Sequence, residues 1–240
     1  MLHKALKQAV LIGYLRTNPT EACILPRIIR KEMHPLEEDQ VAVFLREVQG
    51  HPHEYLYKIA LFTGLREGEV LGLGWEHIDF QAGTLTVKRQ LRREQKKGGG
   101  YYFSPPKNNK SRCLTLAPSV IQLFRLQKLE QNSMRMEASD AWEEHGLIFT
   151  NQTGGYLSYR TVYDCFKRIV RNIGTPATRF HDLRHTFAVA SIKSGDDIKT
   201  VQENLGHATA AFTLDVYGHV TKQMKRSRQD LCAKLFAGSG

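Results

Sequence analysis

Residues 179–195 read RFHDLRHTFAVASIKSG, directly after the turn-forming Gly174, Pro176 and Thr178. Turn residues followed by an apolar run predict a helix starting near Phe180. That places His181 and Arg184 three apart in its opening turns, on one face. An imidazole and a guanidinium at a helix entrance have two explanations, packing and capping or a bound anion, and the rest of the chain has to choose between them.

Downstream, Gly195 separates this helix from DDIKTVQENLGHATAAFTLDVYGHV. There Ile198, Val201 and Leu205 mark a buried helical face and Gly206 stops the helix. His207 therefore stands on a loop, ten residues before Tyr217. Upstream, Ser158 is placed to cap YRTVYDCFKRIVRNIG, residues 118–137 read as helix, and GLIFTN is a short apolar segment. GTLTVKRQL, YYFSPPK and RCLTLAP have the composition of three short strands, joined by Gly98-Gly99-Gly100 and by KNNKS. Earlier still, LEEDQVAVFLREVQ from Leu36 reads as a helix with acids in its first turn, EYLYKIALFTG as a helix ended by Gly64, and LREGEVLGLGWEHIDF as a short helix opened near Arg66. The first residues form an amphipathic helix with Leu2, Ala5, Leu6, Ala9 and Ile12 on one face, followed by the proline-rich linker NPTEACILPRIIRKEMHP. The expected class is α+β, mostly α-helical, with a small three-stranded antiparallel sheet.

The composition excludes several classes of function. Two hundred and forty residues suffice for one large or two modest domains. The apolar runs fall far short of the ~20 residues that cross a bilayer, and the N-terminal apolar stretch ends at Arg16 without a small-residue cleavage pattern. Cys23, Cys113, Cys165 and Cys232 are scattered, with no C-x-x-C pair, which suggests neither a zinc site nor a disulfide framework and fits a reduced cytoplasmic protein. The net charge is +10, and between Lys88 and Arg112 nine Lys or Arg face a single acid, Glu94. A solvated loop would explain such a run. Its interleaving with strand formers and the aromatics of YYF favours a basic β-ribbon against a phosphate backbone, with Lys88, Arg89, Lys110 and Arg112 as DNA-binding candidates.

Arg66, His181, Arg184, His207 and Tyr217 all fall at the ends of elements, where site residues gather. Taken singly, each has an ordinary structural explanation. In order, however, TGLREGEVLGLGW, PPKNNKSR, HDLRHTFA and LGHATAAFTLDVYGHV together resemble the tyrosine recombinase, or phage integrase, family over about Leu36 to Lys222. The resemblance implies that family's catalytic fold. It also implies Arg66 as first catalytic arginine, Lys107 as the hairpin lysine, His181 and Arg184 as the H-x-x-R pair, His207 as third basic residue, Tyr217 as nucleophile and Glu69 as a supporting acid. Where many relatives carry a Ser/Thr-rich run before the tyrosine, this chain has ATAAFT, which weakens the case for hydroxyl contacts there but not the assignment of Tyr217.

The chemistry implied is site-specific DNA strand transfer through a 3′-phosphotyrosine, without ATP, cofactor or metal, since guanidiniums can take the place of a cation on the phosphate. Lys107 would protonate the leaving 5′-oxygen and His181 would accept or relay the tyrosine proton. The partners implied are double-stranded DNA and further protomers, monomer when free and tetramer in a synapse, in the cytoplasm at the nucleoid and away from membranes. Residues 1–33 would be the last helix of a DNA-binding domain with its linker, 34–222 the catalytic domain and 223–240 a docking tail. Two other readings share these residues: a type IB topoisomerase-like enzyme, and a DNA-binding protein with a dead site.

Overall fold

The computed structural model describes residues 2–24, 33–94, 98–107, 109–218 and 220. Lys96, Lys97, linker residues 25–32 and the expected docking tail, 223–240, lie outside them. The chain divides into two compact units, Met1–Glu32 and Met33–Gly240. In the first, α1 (Leu2–Leu11) forms as its periodicity predicts, yet none of its residues is buried. The turn behind it is held by Asn18, whose Oδ1 accepts from the Thr20 N–H (3.0 Å) and hydroxyl (2.7 Å).

In the second unit, α2 (Glu38–Glu47) carries Glu38 and Asp39 in its first turn and buries Phe44. The next helix, α3 (Glu54–Thr63), is apolar on nearly every side and buries Leu56, Tyr57, Ile59, Ala60 and Leu61, as a helix through the centre of a core must. An aromatic cluster joins it to its neighbours: Phe44, Tyr57, Phe166 and Phe180 pack with ring centroids 5.6 to 6.5 Å apart. Gly64 ends α3 in the left-handed region (φ 63°), where a side chain is disfavoured. A Cβ there would also lie 2.6 Å from Phe187 Cδ1, so Gly64 both stops the helix and lets the chain press against the Phe187 ring.

After the short α4 (Glu67–Leu71) come β1 (Ile78–Asp79), β2 (Thr84–Val87), β3 (Gln90–Arg93), β4 (Tyr101–Ser104) and β5 (Arg112–Thr115). The three-stranded antiparallel sheet is present, in the order β1-β2-β5 with Leu85 opposite Leu114. Its membership differs from expectation. GTLTVKRQL breaks at Lys88-Arg89 into β2 and β3, and YYFS pairs with β3 as a separate hairpin. The break coincides with Arg89, whose Nε donates to the Gly72 carbonyl (3.0 Å), whose Nη2 meets Glu76 (3.1 Å) and whose guanidinium lies over the Phe103 ring (4.1 Å).

Helix α5 (Pro118–Ala138) starts with proline at its first position, where no N–H is needed. Its buried Gln127 and Gln131 donate to the carbonyls of Ile148 and Leu147, which anchors the apolar segment there. Ser158 precedes α6 (Tyr159–Asn172) as expected but makes no side-chain cap. The chain continues through α7 (Phe180–Lys193) and α8 (Ile198–Leu205), and residues 210–218 form α9. A small second core, made of Ala188, Ile192, Val201, Leu205, Tyr217 and Val220, is separate from the main one and contains the tyrosine.

Candidate active site

Two of these helices begin alike. At α4, Arg66 is the N-cap and Glu69, three residues on, accepts the Arg66 N–H (2.9 Å) and its Nη1–H (2.7 Å). At α7, Arg179 is the N-cap and Asp182 accepts the Arg179 N–H (2.8 Å) and a two-pronged contact from its guanidinium (3.0 and 2.8 Å). An acid in the first turn that satisfies the N-cap amide and faces the positive end of the helix dipole is a favourable start for either helix. It also fixes the direction in which each arginine leaves the backbone.

Glu69 is fully buried and receives a second arginine. Arg112 donates from Nη1 (3.0 Å) and Nη2 (2.7 Å) to its two oxygens, and from Nε to the Asn204 carbonyl (2.9 Å). Burial alone would raise the Glu69 carboxyl. The hydrogen bonds and charge of Arg112, with the charge of Arg66, outweigh it and hold the group at about 2. A folded-state value below the unfolded one means stability that is complete above the ordinary carboxylate range and lost as pH falls through it towards 2. Glu69→Gln is therefore expected to lower unfolding stability by about 3 kcal/mol near neutral pH, because two arginines lose their counter-charge. The difference from wild type should shrink as pH falls from 5 to 2, read as the urea midpoint; a constant difference would refute the charge argument.

Arg184 is the largest of the fully buried side chains, 2% exposed. Its Nη1 donates to the Gly64 carbonyl (2.7 Å) and its Nη2 to the Leu205 carbonyl. These are the C-terminal ends of α3 and α8, where carbonyls lack helical partners and the dipoles are negative. Gly206 (φ 61°) closes α8 with the His207 N–H on the Gln202 carbonyl and its own N–H on that of Glu203, a Schellman turn that leaves Leu205 O to the arginine. Burial first, and then the charge of Arg66, pulls Arg184 well below the ordinary arginine value. It remains a cation whose counter-charge is incomplete.

His207 leaves that turn with its Nδ1 2.9 Å from the Thr213 hydroxyl, which is fully buried. Its ring lies nearly parallel to that of Tyr217, with centroids 6.5 Å apart. Burial, then Arg184 and Arg66, lowers its imidazole to about 3, so it is neutral at physiological pH. Tyr217 is 1% exposed, and its hydroxyl lies 2.6 Å from Nδ1 of His185. Burial pushes the phenol up to about 12, against the opposing pull of Arg184. His181 stands at the lip, exposed, with its ring 5.1 Å from that of His185. Burial of its inner side, with His185, Arg184 and Arg66 close by, holds it well below the usual imidazole range.

Arg66, Glu69, Arg184, His207 and Tyr217 thus converge, with His181 at the rim. A cleft of about 500 Å³ beside them is bordered by Arg66, His207, Pro106 and Lys110. Lys107 is exposed on the adjoining turn and is not part of that wall. Of the four expected DNA-binding residues, Lys88 and Lys110 are exposed. Arg112 and Arg89 are instead committed to internal partners: Glu69 for the first, Gly72, Glu76 and Phe103 for the second. His185 and Thr213 are the contacts that sequence reasoning missed. Among the described residues no cluster of three or more His, Cys, Asp or Glu is arranged to hold a metal ion. No described helix is long and apolar enough to cross a membrane.

Such a convergence of arginines and imidazoles on a tyrosine defines a class of site, and residues 34–224 match the phage integrase family. The chain belongs to that family. It is 29% identical to a "tyrosine recombinase XerC-like" protein of Caldanaerobacter subterraneus subsp. tengcongensis, over 93% of this chain and 61% of the relative. It is 27% identical to an integrase of Streptomyces ambofaciens, over 90% of this chain and 57% of the relative. The chain thus spans about three fifths of the length of these relatives. Among solved structures, the Tn1549 transposon integrase in complex with transposon right end DNA superposes with a TM-score of 0.76 at 24% identity, covering 96% of this chain and 76% of the other. XerA recombinase gives 0.62 at 21%, covering 94% and 75%. The fold is that of the tyrosine recombinase catalytic domain.

Proposed function

We propose that the chain is the catalytic part of a site-specific DNA recombinase of integrase type, which cuts and rejoins DNA strands through a 3′-phosphotyrosine. The observation that carries this is the buried Tyr217 phenol beside Arg184, with Arg66 close to Arg184 and the Glu69 carboxylate of Arg66 already shared with Arg112. An under-compensated cation pair beside a nucleophile suits a phosphodiester, which brings one charge and gains another in the transition state. Each guanidinium has five N–H donors, so after its contacts here it retains donors for non-bridging oxygens. In this reading the Thr213 hydroxyl donates to Nδ1, so that neutral His207 carries its proton on Nε2 and donates it to the same phosphate. In such a preorganised site each donor is worth ~10²–10³ in rate.

Lys107, on the turn after β4, is the proposed acid for the leaving 5′-oxygen and reaches it when the hairpin engages DNA. Lys88 and Lys110 are proposed to hold phosphates. His181, at the rim, adds a polar group facing the DNA. The phosphotyrosine conserves the energy of the broken bond, so the 5′-hydroxyl of a second strand can displace Tyr217 without ATP. The built-in cations serve where a metal would otherwise be needed. The proposed domains are 1–33, a terminal helix and linker, 34–222, the catalytic domain, and 223–240, a docking tail that joins protomers into a tetramer on DNA in the cytoplasm.

The test is a denaturing gel of protein with nicked duplexes taken from DNA flanking its gene, in EDTA. A denaturation-resistant adduct in wild type is expected; none on any substrate would overturn the reading. Binding should be salt-sensitive. Neutralising about six phosphates predicts a log–log slope of ~−5 between affinity and salt concentration. A flat dependence would count against the phosphate role of the exposed lysines.

A further inference from the structure

We infer that His185 is the base that takes the proton from Tyr217 as the tyrosine attacks DNA, in place of the neighbouring His181. This rests on the strand-transfer reading above. His185 lies one helical turn beyond His181 on α7, half-buried, with Nδ1 2.6 Å from the Tyr217 hydroxyl. The two rings are 5.7 Å apart and tilted by 55°. With the phenol 1% exposed, His185 supplies the one hydrogen bond found at its oxygen among the described residues.

Both partners of that bond are neutral before the reaction. Burial, only partly offset by the Asp182 carboxylate, lowers His185 to about 4, so the ring is neutral at physiological pH. The phenol keeps its proton, and in this inference it donates to a lone pair on Nδ1, with the ring hydrogen on Nε2. Full transfer before attack is strongly uphill, given a phenol at about 12. The proton therefore moves as the bond to phosphorus forms, which is general-base catalysis. In atoms, the Tyr217 Oη–P bond forms while P–O5′ breaks, and the phenolic proton goes to His185 Nδ1. The 5′-oxygen takes its proton from a separate acid, Lys107 in the reading above. In the rejoining step His185 returns its proton to Oη.

The groups around the ring support that cycle. Asp182, held by Arg179, favours the imidazolium, while Arg184 and Arg179 oppose it. A phosphate seated on Arg184 would cancel much of that opposition. Substrate binding would thereby raise the basicity of His185 at the moment it is needed.

Two measurements test the assignment. The first is ring-nitrogen NMR of the histidines in the protein without DNA. His185 is expected as the neutral Nε2–H tautomer, with its Nδ1 resonance displaced in Tyr217→Phe. A hydrogen on Nδ1 would overturn the inference, and this arm stands even if a substituted protein fails to fold. The second is the rate of adduct formation on nicked duplex from pH 6 to 9 for wild type and His185→Gln, with DNA affinity measured in parallel. At pH 7 the variant should be ~10²–10³-fold slower with affinity within about threefold. Its rate should climb about tenfold per pH unit as hydroxide replaces the base, while wild type stays nearly flat. A variant within threefold of wild type and parallel to it in pH overturns the role of His185 alone. A wild type that forms no adduct on any substrate overturns the strand-transfer reading and this inference with it.

Discussion

Tyr217→Phe is expected to abolish the covalent protein–DNA adduct, by ~10⁴-fold or more, while DNA affinity changes by less than about threefold. The size follows from deleting the nucleophile itself: in a covalent mechanism the remaining site cannot form the intermediate, and losses of ~10⁴–10⁶ accompany such deletions. The near-constant affinity follows from position. Tyr217 belongs to the second core with Leu205 and Val201, and phenylalanine fills the same space without presenting a new group to DNA. The fold should lose ~1 kcal/mol, because the removed hydroxyl leaves His185 Nδ1 without its partner in a half-buried setting. Adduct yield on nicked duplex, gel-shift affinity and the urea midpoint measure the three quantities. An adduct persisting in Tyr217→Phe would place the nucleophile elsewhere. A loss of affinity matching the loss of adduct would mean that the hydroxyl serves binding rather than chemistry.

The parts of this site that could be read from the sequence are those set by local rules. Gly64 and Gly206 punctuate helices, and both adopt the left-handed conformation that stops them. His207 and Arg66 are consequently displayed at helix ends, as their neighbours in sequence imply. The periodicity of Ile198, Val201 and Leu205 correctly marks the inner face of α8. What could not be read depends on pairing across distance. Arg112 stands in a basic run that points to DNA, but strand pairing places it opposite Val87, within reach of Glu69 on α4. A one-dimensional count of charge cannot separate a solvated lysine such as Lys110 from an arginine whose five donors are directed inward. Likewise HDLRH offers two histidines four apart. The H-x-x-R spacing singles out His181, whereas the one that touches the tyrosine depends on where α9 lies against α7. ATAAFT weakens the case for hydroxyl contacts near the tyrosine, yet its last residue, Thr213, is the fully buried partner of His207.

Arg184→Lys separates charge from geometry more cleanly than removal of the side chain. Arg184→Ala would strand the Gly64 and Leu205 carbonyls at two helix ends and open a cavity, at a cost of ~3 kcal/mol, partly offset by relief of repulsion from Arg66. Lost activity in that variant would therefore mix misfolding with chemistry. Lysine keeps the charge and can satisfy one carbonyl, so the expected loss of stability is ~1–2 kcal/mol in urea, and folded protein remains for assay. A point charge cannot span both helix ends and also hold two phosphate oxygens, which the planar guanidinium can. Adduct formation by Arg184→Lys is accordingly expected to fall ~10²–10³-fold, with DNA affinity within about tenfold of wild type. Cleavage at the wild-type rate would show that net charge suffices and would refute the bidentate role. A stability loss as large as that of alanine would mean that the two helix-end carbonyls, more than the phosphate, are what the fork at position 184 is built to hold.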